Sequence, residues 1–282
     1  MLSVLLVTIS SLCKGQANTS LSNLTSPTSV NVSLLPKNNS VNLGSSSKSW
    51  KRLYFIDGLY KDTTRIFTAD STNIAAGYNV LTVSTGKFNT AIGSQTLRSN
   101  SSGVLNTAIG AASLLYNTTG SGNTATGVDA MYSNTTGNFN TASGYFALAL
   151  NKTGALNVAN GDYALYSNAA GYSNVGIGTH ALYANSNVGN LIAIGDSALF
   201  KNTSGIENTA LGSKTLFANV AGTSNTAVGY MALNNNTASG NTASGARALQ
   251  NNISGSNNVA IGYAALLELS GGVITQELET VS

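Results

Sequence analysis

From residue 89 onward the chain repeats itself at a fixed period, and no local preference constrains a fold as tightly as a period does. The unit reads Asn-Thr-Ala-x-Gly-x-x-Ala-Leu-x-x-Asn-x-x-Gly-x-x. Its anchor glycines are Gly93, Gly110, Gly127, Gly144, Gly161, Gly178, Gly195, Gly212, Gly229, Gly245 and Gly262, separated by nine steps of 17 and one of 16. Eleven such copies exclude a helical bundle with irregular loops. They predict an all-β fold, a parallel β-roll or β-solenoid of eleven 17-residue coils over residues 89–269, each stacked on the next.

The columns of the repeat carry physical meaning. Three residues before the anchor every copy has Thr, Val or Ile, the β-branched mark of a strand. Two before it ten copies have Ala, with Gly176 the exception, so a neighbouring backbone must approach closely there. Four after the anchor stands the core column: Leu97, Leu114, Met131, Leu148, Leu165, Leu182, Leu199, Leu216, Leu233, Leu249 and Leu266. Burying each contributes about 1.5–3 kcal/mol. Asn recurs at the strand start and again seven after the anchor, where Asn100 opens a series that Asn252 closes and Leu269 ends. Stacked asparagines are expected to form amide ladders along the axis and to tolerate left-handed turn geometry. Glycines such as Gly103, Gly120 and Gly137 are expected to supply a second tight turn.

A 17-residue coil at about 3.3 Å per residue has a contour of roughly 56 Å, room for two short strands and two turns. The period is not a multiple of six, which excludes a triangular hexapeptide helix, and no Gly-Gly-x-Gly-x-Asp run is present to bind calcium. Each coil offers one Leu or Met, plus Ile, Leu or Val beside the anchor in seven copies. So thin a core is marginal for one chain, and association of several copies would remedy it. A homo-oligomer is therefore expected.

Composition narrows the function. Charged residues make up 8% of the 282, against roughly a quarter in ordinary soluble domains; 36 Asn and 30 Gly stand in their place. One His, one Cys and 10 acidic residues, scattered over the whole length, give acid–base, nucleophilic or metal chemistry little to work with. No enzyme activity, catalytic residue, metal or cofactor is expected. A formal charge of +3 without a dense Lys/Arg cluster also makes nucleic acid a poor partner.

Ahead of the repeat, residues 2–12 form an apolar run of signal-peptide length, too short to span a bilayer. Residues 1–15 are read as a signal peptide cleaved before Gln16, although no basic segment precedes the run, and no transmembrane segment is expected. Residues 16–40 are an Asn/Ser/Thr-rich leader. Residues 41–66 are read as a β-hairpin collar turning at Asp57-Gly58 and holding Trp50, with Lys48, Lys51 and Arg52 as solvated neighbours. Residues 67–88 are a connector or N-terminal cap, and 270–282 a short tail.

Variation within a solenoid marks where function can sit. The two positions after each anchor vary most, and Tyr145, Phe146, Tyr163, His180, Tyr230, Arg247 and Tyr263 are the candidates there for contact with a ligand or surface. His180, lacking partner ligands, reads as a surface histidine rather than a metal ligand. Five after the anchor, Tyr132, Tyr166, Tyr183, Phe200 and Phe217 make a broken aromatic ladder. Packing between adjacent coils or protomers is preferred over stacking on sugar rings.

The Asn-Thr-Ala-Ile-Gly units resemble the YadA-like heads of trimeric autotransporter adhesins. That resemblance implies a left-handed, trimeric β-roll. The 17-residue form, with Leu43-Gly44, Trp50, Leu53-Tyr54 and Gly58, is also similar to bacterial and phage tail-fibre-like proteins that end in an endosialidase-type chaperone. Adhesin heads commonly use a 14-residue period, and residues 270–282 are too few for the chaperone or an anchor. The resemblance implies a non-enzymatic, secreted or cell-surface fibre, or a virion fibre if phage-encoded, that attaches to a receptor, glycan or surface. The alternative is an ice-binding solenoid built on the Thr column. It is disfavoured because the second column mixes Ile, Ser, Thr and Asn.

Overall fold

β-branched residues flanking a small one favour short extended segments, and the chain uses them as the rungs of one stack. The computed structural model describes residues 59–61, 64–69, 72–269, 272 and 277–278, all within one unit, residues 55–282. Strand β1 (Leu59–Lys61) pairs antiparallel with β2 (Thr64–Ala69), and β2 antiparallel with β3 (Ile74–Ala76). Every later strand is parallel to its predecessor. These are β4 (Thr90–Ile92), β5 (Thr107–Ile109), β6 (Thr124–Thr126), β7 (Thr141–Ser143), β8 (Val158–Asn160) and β9 (Val175–Ile177). They continue as β10 (Ile192–Ile194), β11 (Thr209–Leu211), β12 (Thr226–Val228), β13 (Thr242–Ser244), β14 (Val259–Ile261) and β15 (Glu277–Leu278). Register follows the repeat residue for residue: Thr107, Ala108 and Ile109 pair with Thr90, Ala91 and Ile92. The chain is an all-β parallel solenoid.

Its extent differs from the 89–269 expected. The stack opens one coil earlier, because Asn73-Ile74-Ala75-Ala76-Gly77 fits the columns at a step of 16 to Gly93. It also continues past Leu269, where β15 pairs with β14. The antiparallel reversal seen lies between Lys61 and Thr64. The turn expected at Asp57-Gly58, Trp50 with its basic neighbours, the leader and the signal segment lie outside the described residues.

Within each coil around Gly93 to Gly262 there is one three-residue strand, not two. The remaining arc is kept from extending by left-handed residues at two and four positions after the anchor, such as His180 (φ 57) and Leu182 (φ 54). A left-handed non-glycine residue costs about 1–2 kcal/mol, which burial of the same Leu offsets. The arc still bonds along the axis: the Leu114 N–H donates to Ala130 O at 3.0 Å and Tyr116 N–H to Tyr132 O at 3.1 Å. The ladder asparagines Asn100 to Asn252 are not left-handed, contrary to expectation, and neither are the turn glycines beside them. Gly120 is needed for space instead. A Cβ there would meet Asn117 Oδ1 and lie 2.7 Å from Asn134 Nδ2. The anchors do need the angle, as at Gly161 (φ +132), where a Cβ would also fall 2.6 Å from the Gly178 carbonyl carbon.

The interior of a coil is small. In the coil anchored by Gly127 it comprises Ala125, Ala130 and Met131 with Asn123 and Asn134, all fully buried. The core column is buried as expected from Leu97 to Leu249, and Leu266 in the last coil is partly exposed. The two asparagines satisfy the interior. Asn123 donates its N–H and Nδ2 to Asn106 Oδ1 at 3.0 and 3.2 Å, and Nδ2 also to Gly137 O at 2.8 Å. Asn134 donates Nδ2 to Asn117 Oδ1 at 2.7 Å and to the same Gly137 O at 3.1 Å. Both ladders therefore meet on one carbonyl.

The ladders break where the unit changes. Leu191 replaces a strand-start Asn, and only its backbone N–H reaches Asn174 Oδ1, at 3.1 Å. In that coil Val188 also replaces the turn glycine, and Asn185 Oδ1 is left without a partner. Asn219 Oδ1 is the other orphan; the next coil is one residue short, and Asn236 Oδ1 serves Asn241 and Asn252 instead. Reciprocal substitutions test this accounting. Asn140→Leu strips acceptors from Asn157 N and Nδ2 and should cost at least about 3 kcal/mol in urea unfolding. Leu191→Asn, which extends the ladder, should fall within about 1 kcal/mol of the parent.

Candidate aromatic corner

Left-handed residues at two and four positions after each anchor turn the backbone so that the side chains two and five after it lie side by side. Where both are aromatic, they build a double stack up the solenoid. In the first column Phe146 and Tyr163 stack at 5.4 Å between centroids (16°), and Tyr163 and His180 at 5.4 Å (6°). In the second, Tyr166, Tyr183, Phe200 and Phe217 follow one another at 5.2 Å, with interplanar angles of 8°, 11° and 5°. Cross-contacts join the columns: Tyr163 to Tyr166 at 5.5 Å and His180 to Tyr183 at 5.5 Å. Tyr145 closes one end, edge-on to both Phe146 and Tyr163. Each such pair adds about 0.5–1.5 kcal/mol beyond burial.

Of the seven sequence candidates, the structure thus gathers Tyr145, Phe146, Tyr163 and His180. Tyr230, Arg247 and Tyr263 sit exposed in the same columns of three later, consecutive coils, with no ring contact to the cluster. The ladder five after the anchor packs coil on coil within one chain, as preferred from the sequence. Ala149 interrupts it, and Tyr132 turns away to meet Tyr116 edge-on, the two hydroxyls 3.5 Å apart. Tyr116, six after its anchor, escaped the sequence reading because it stands one column out of line. So did the joining of the two ladders, whose only sequence signal is their three-residue offset.

Stacking fixes what this corner presents. Ring faces are spent on one another, so edges and hydroxyls point outward. Charge is sparse around them: the Tyr145 N–H donates to Asp162 Oδ1 at 3.1 Å, and Lys201 Nζ stands 5.5 Å from the Phe217 centroid. Burial pushes the Asp129 carboxyl up from its ordinary value. Among the described residues no three His, Cys, Asp or Glu side chains gather to hold a metal, and no helix is long and apolar enough to cross a membrane. No protein-family model matches the chain, and neither a curated protein nor a solved structure does.

Two phenols titrate late: Tyr132 through its hydrogen bond with Tyr116, and Tyr163 through desolvation within the stack, each raised above 10.0. Their neutral forms favour the folded state, so that contribution is complete below the unfolded pKa of about 10 and lost as pH rises through the folded values. Chemical denaturation above pH 10 should show falling stability, and Tyr116→Phe should bring Tyr132 ionisation, followed by ultraviolet absorbance, to lower pH.

Proposed function

We propose that the chain is a non-enzymatic fibre module of the secreted or cell-surface kind, or of a virion fibre. It would associate with copies of itself and attach to a receptor, glycan or surface through its aromatic corner. The observation that carries this reading is how the coil is used. Strand, core, anchor and ladder positions are committed to the stack, and variety collects at the positions after each anchor, where exposed Tyr145 and half-buried Phe146, Tyr163 and His180 adjoin. A solenoid presents such positions as an extended ligand-facing strip. With ring faces occupied, recognition would run through phenol hydroxyls, ring edges and the Asp162 carboxylate, groups suited to the hydroxyls of a glycan.

The YadA-like resemblance supports the same reading and carries the expectation of a left-handed trimer. The ice-binding alternative is less well supported: only β6, with Thr124 and Thr126, carries Thr at both outward positions.

Binding of the full chain to immobilised glycans and to cell surfaces tests the proposal. Tyr145→Ala with Tyr163→Ala should weaken attachment at least about tenfold, the loss of one good contact, while unfolding stays cooperative. Undiminished binding by that variant, or thermal hysteresis in the parent, would contradict it.

A further inference from the structure

Hydrogen bonds along the axis join each turn to the next, and at one junction they fail together. The junction between turns 168–174 and 185–191 shows the rule. Ala169 and Ala170 N–H donate to Ser186 O at 2.6 and 3.1 Å, and Asn190 N–H to Tyr172 O at 3.1 Å. Asn185 Nδ2 donates to Asn168 Oδ1 at 3.0 Å and Leu191 N–H to Asn174 Oδ1 at 3.1 Å. One coil further the equivalent donors are the N–H groups of Ser186, Asn187, Glu207 and Asn208 and the Nδ2 of Asn202. Among the described residues none of them bonds across that junction. Asn185 Oδ1, the fully buried oxygen that should accept from Asn202, is left without a partner. At the following junction the bonds resume: Thr203 and Ser204 N–H donate to Val220 O at 3.0 and 3.1 Å, and Asn219 Nδ2 to Asn202 Oδ1 at 3.0 Å.

The sequence supplies the cause. Val188 stands where the regular turn has Gly, and at Gly154 a Cβ would meet both Asn151 Oδ1 and the Gly171 carbonyl of the next turn. Val188 carries that Cβ and a branched side chain, which hold the next turn off. Leu191, in place of a strand-start Asn, removes the remaining side-chain acceptor. The rest of the coil stays joined. β9 and β10 pair over all three residues, Leu182 N–H donates to Ala198 O at 3.0 Å, and Ala184 N–H to Phe200 O at 3.1 Å. Beside the gap Tyr183 stacks on Phe200 at 5.2 Å, with His180 edge-on to Phe200 at 6.0 Å.

We infer that turns 185–191 and 202–208 form a hinged seam, which opens and recloses while the coils on either side stay folded. The paired β9 and β10 are its pivot, and the Tyr183–Phe200 stack is its clasp. A rod of identical junctions has no preferred place to yield; local opening starts where the bonds are fewest. A few element-terminal residues suffice to absorb such a motion, and parting these two turns breaks no hydrogen bond between them. The clasp also accounts for where the second aromatic column lies. Tyr166, Tyr183, Phe200 and Phe217 place two rungs on each side of this junction, where the amide ladders are absent. Load on the rod is then taken by reversible opening at the seam rather than by unfolding of a coil, whatever the rod attaches to.

Native-state hydrogen exchange of the full chain, corrected for intrinsic rates, reads the opening. The N–H of Ala184, beside the seam, should exchange at least about tenfold faster than its equivalents Ser133 and Ser167 at intact junctions. Val188→Gly with Leu191→Asn, which restores the unit, should bring Ala184 to the protection of Ser167. Val188→Gly alone should act in the same direction and covers the case in which the double variant fails to fold. Phe200→Leu, which keeps apolar bulk and loses the ring stack, should speed Ala184 at least about tenfold again and leave Ser133 unchanged. Protection of Ala184 equal to that of Ser133 and Ser167 in the parent would overturn the inference. So would an Ala184 rate unmoved by either Val188 variant, or a Phe200→Leu effect spread evenly to Ser133.

Discussion

The structure depends on an amide that serves two neighbours at once. A buried Asn side chain donates from Nδ2 to the coil before it and to a turn carbonyl, while its Oδ1 accepts from the coil after it. A desolvated amide without partners is costly; repeated at one period, it becomes a connector with every group satisfied. That allows an interior of a single Leu or Met, two small residues and two Asn to be fully closed. It also forces the period, since a coil of different length displaces the amide. The orphaned oxygens of Asn185 and Asn219 lie beside the two coils that depart from the unit.

The other elements follow from that constraint. The anchor must be Gly because its backbone is left-handed and packed against the next anchor. The position three after it must be small; where it is Thr the hydroxyl is used, as Thr96 and Thr215 donate at 2.7 Å to Gly110 O and Gly229 O. The outward strand positions and the corner after the anchor are among those that remain free to vary. Those two surfaces differ in kind: outward strand positions that carry no charge and are half aliphatic, and interlocked aromatic edges with scattered charge.

Much of this was legible in the chain itself. Period, strand, core column, parallel stacking and both Asn ladders could be read because each depends on one residue type recurring at one spacing. Backbone conformation was less legible. Left-handed geometry is normally signalled by Gly or Asn, yet here it falls on Leu97, Leu114 and their equivalents, where burial overrides local preference. The second strand expected in each coil is lost for that reason. The first coil was hidden because Gly77 precedes Gly93 by 16 residues and Ser84 stands where later coils have Asn. At the corner, Phe146 and Tyr166 were recognisable separately. Their contact across columns at 6.1 Å arises only from the fold of the turn.

The measurement that bears most directly on the amide account is native-state hydrogen exchange of the Asn side-chain Nδ2 protons. Buried ladder amides such as those of Asn117, Asn134 and Asn151 should exchange as slowly as the core backbone N–H of Leu114 and Met131. The least protected among the ladder residues should be Asn202 and Asn236, at the two breaks. Side-chain amides exchanging throughout at the rate of free asparagine, with the backbone still protected, would contradict it.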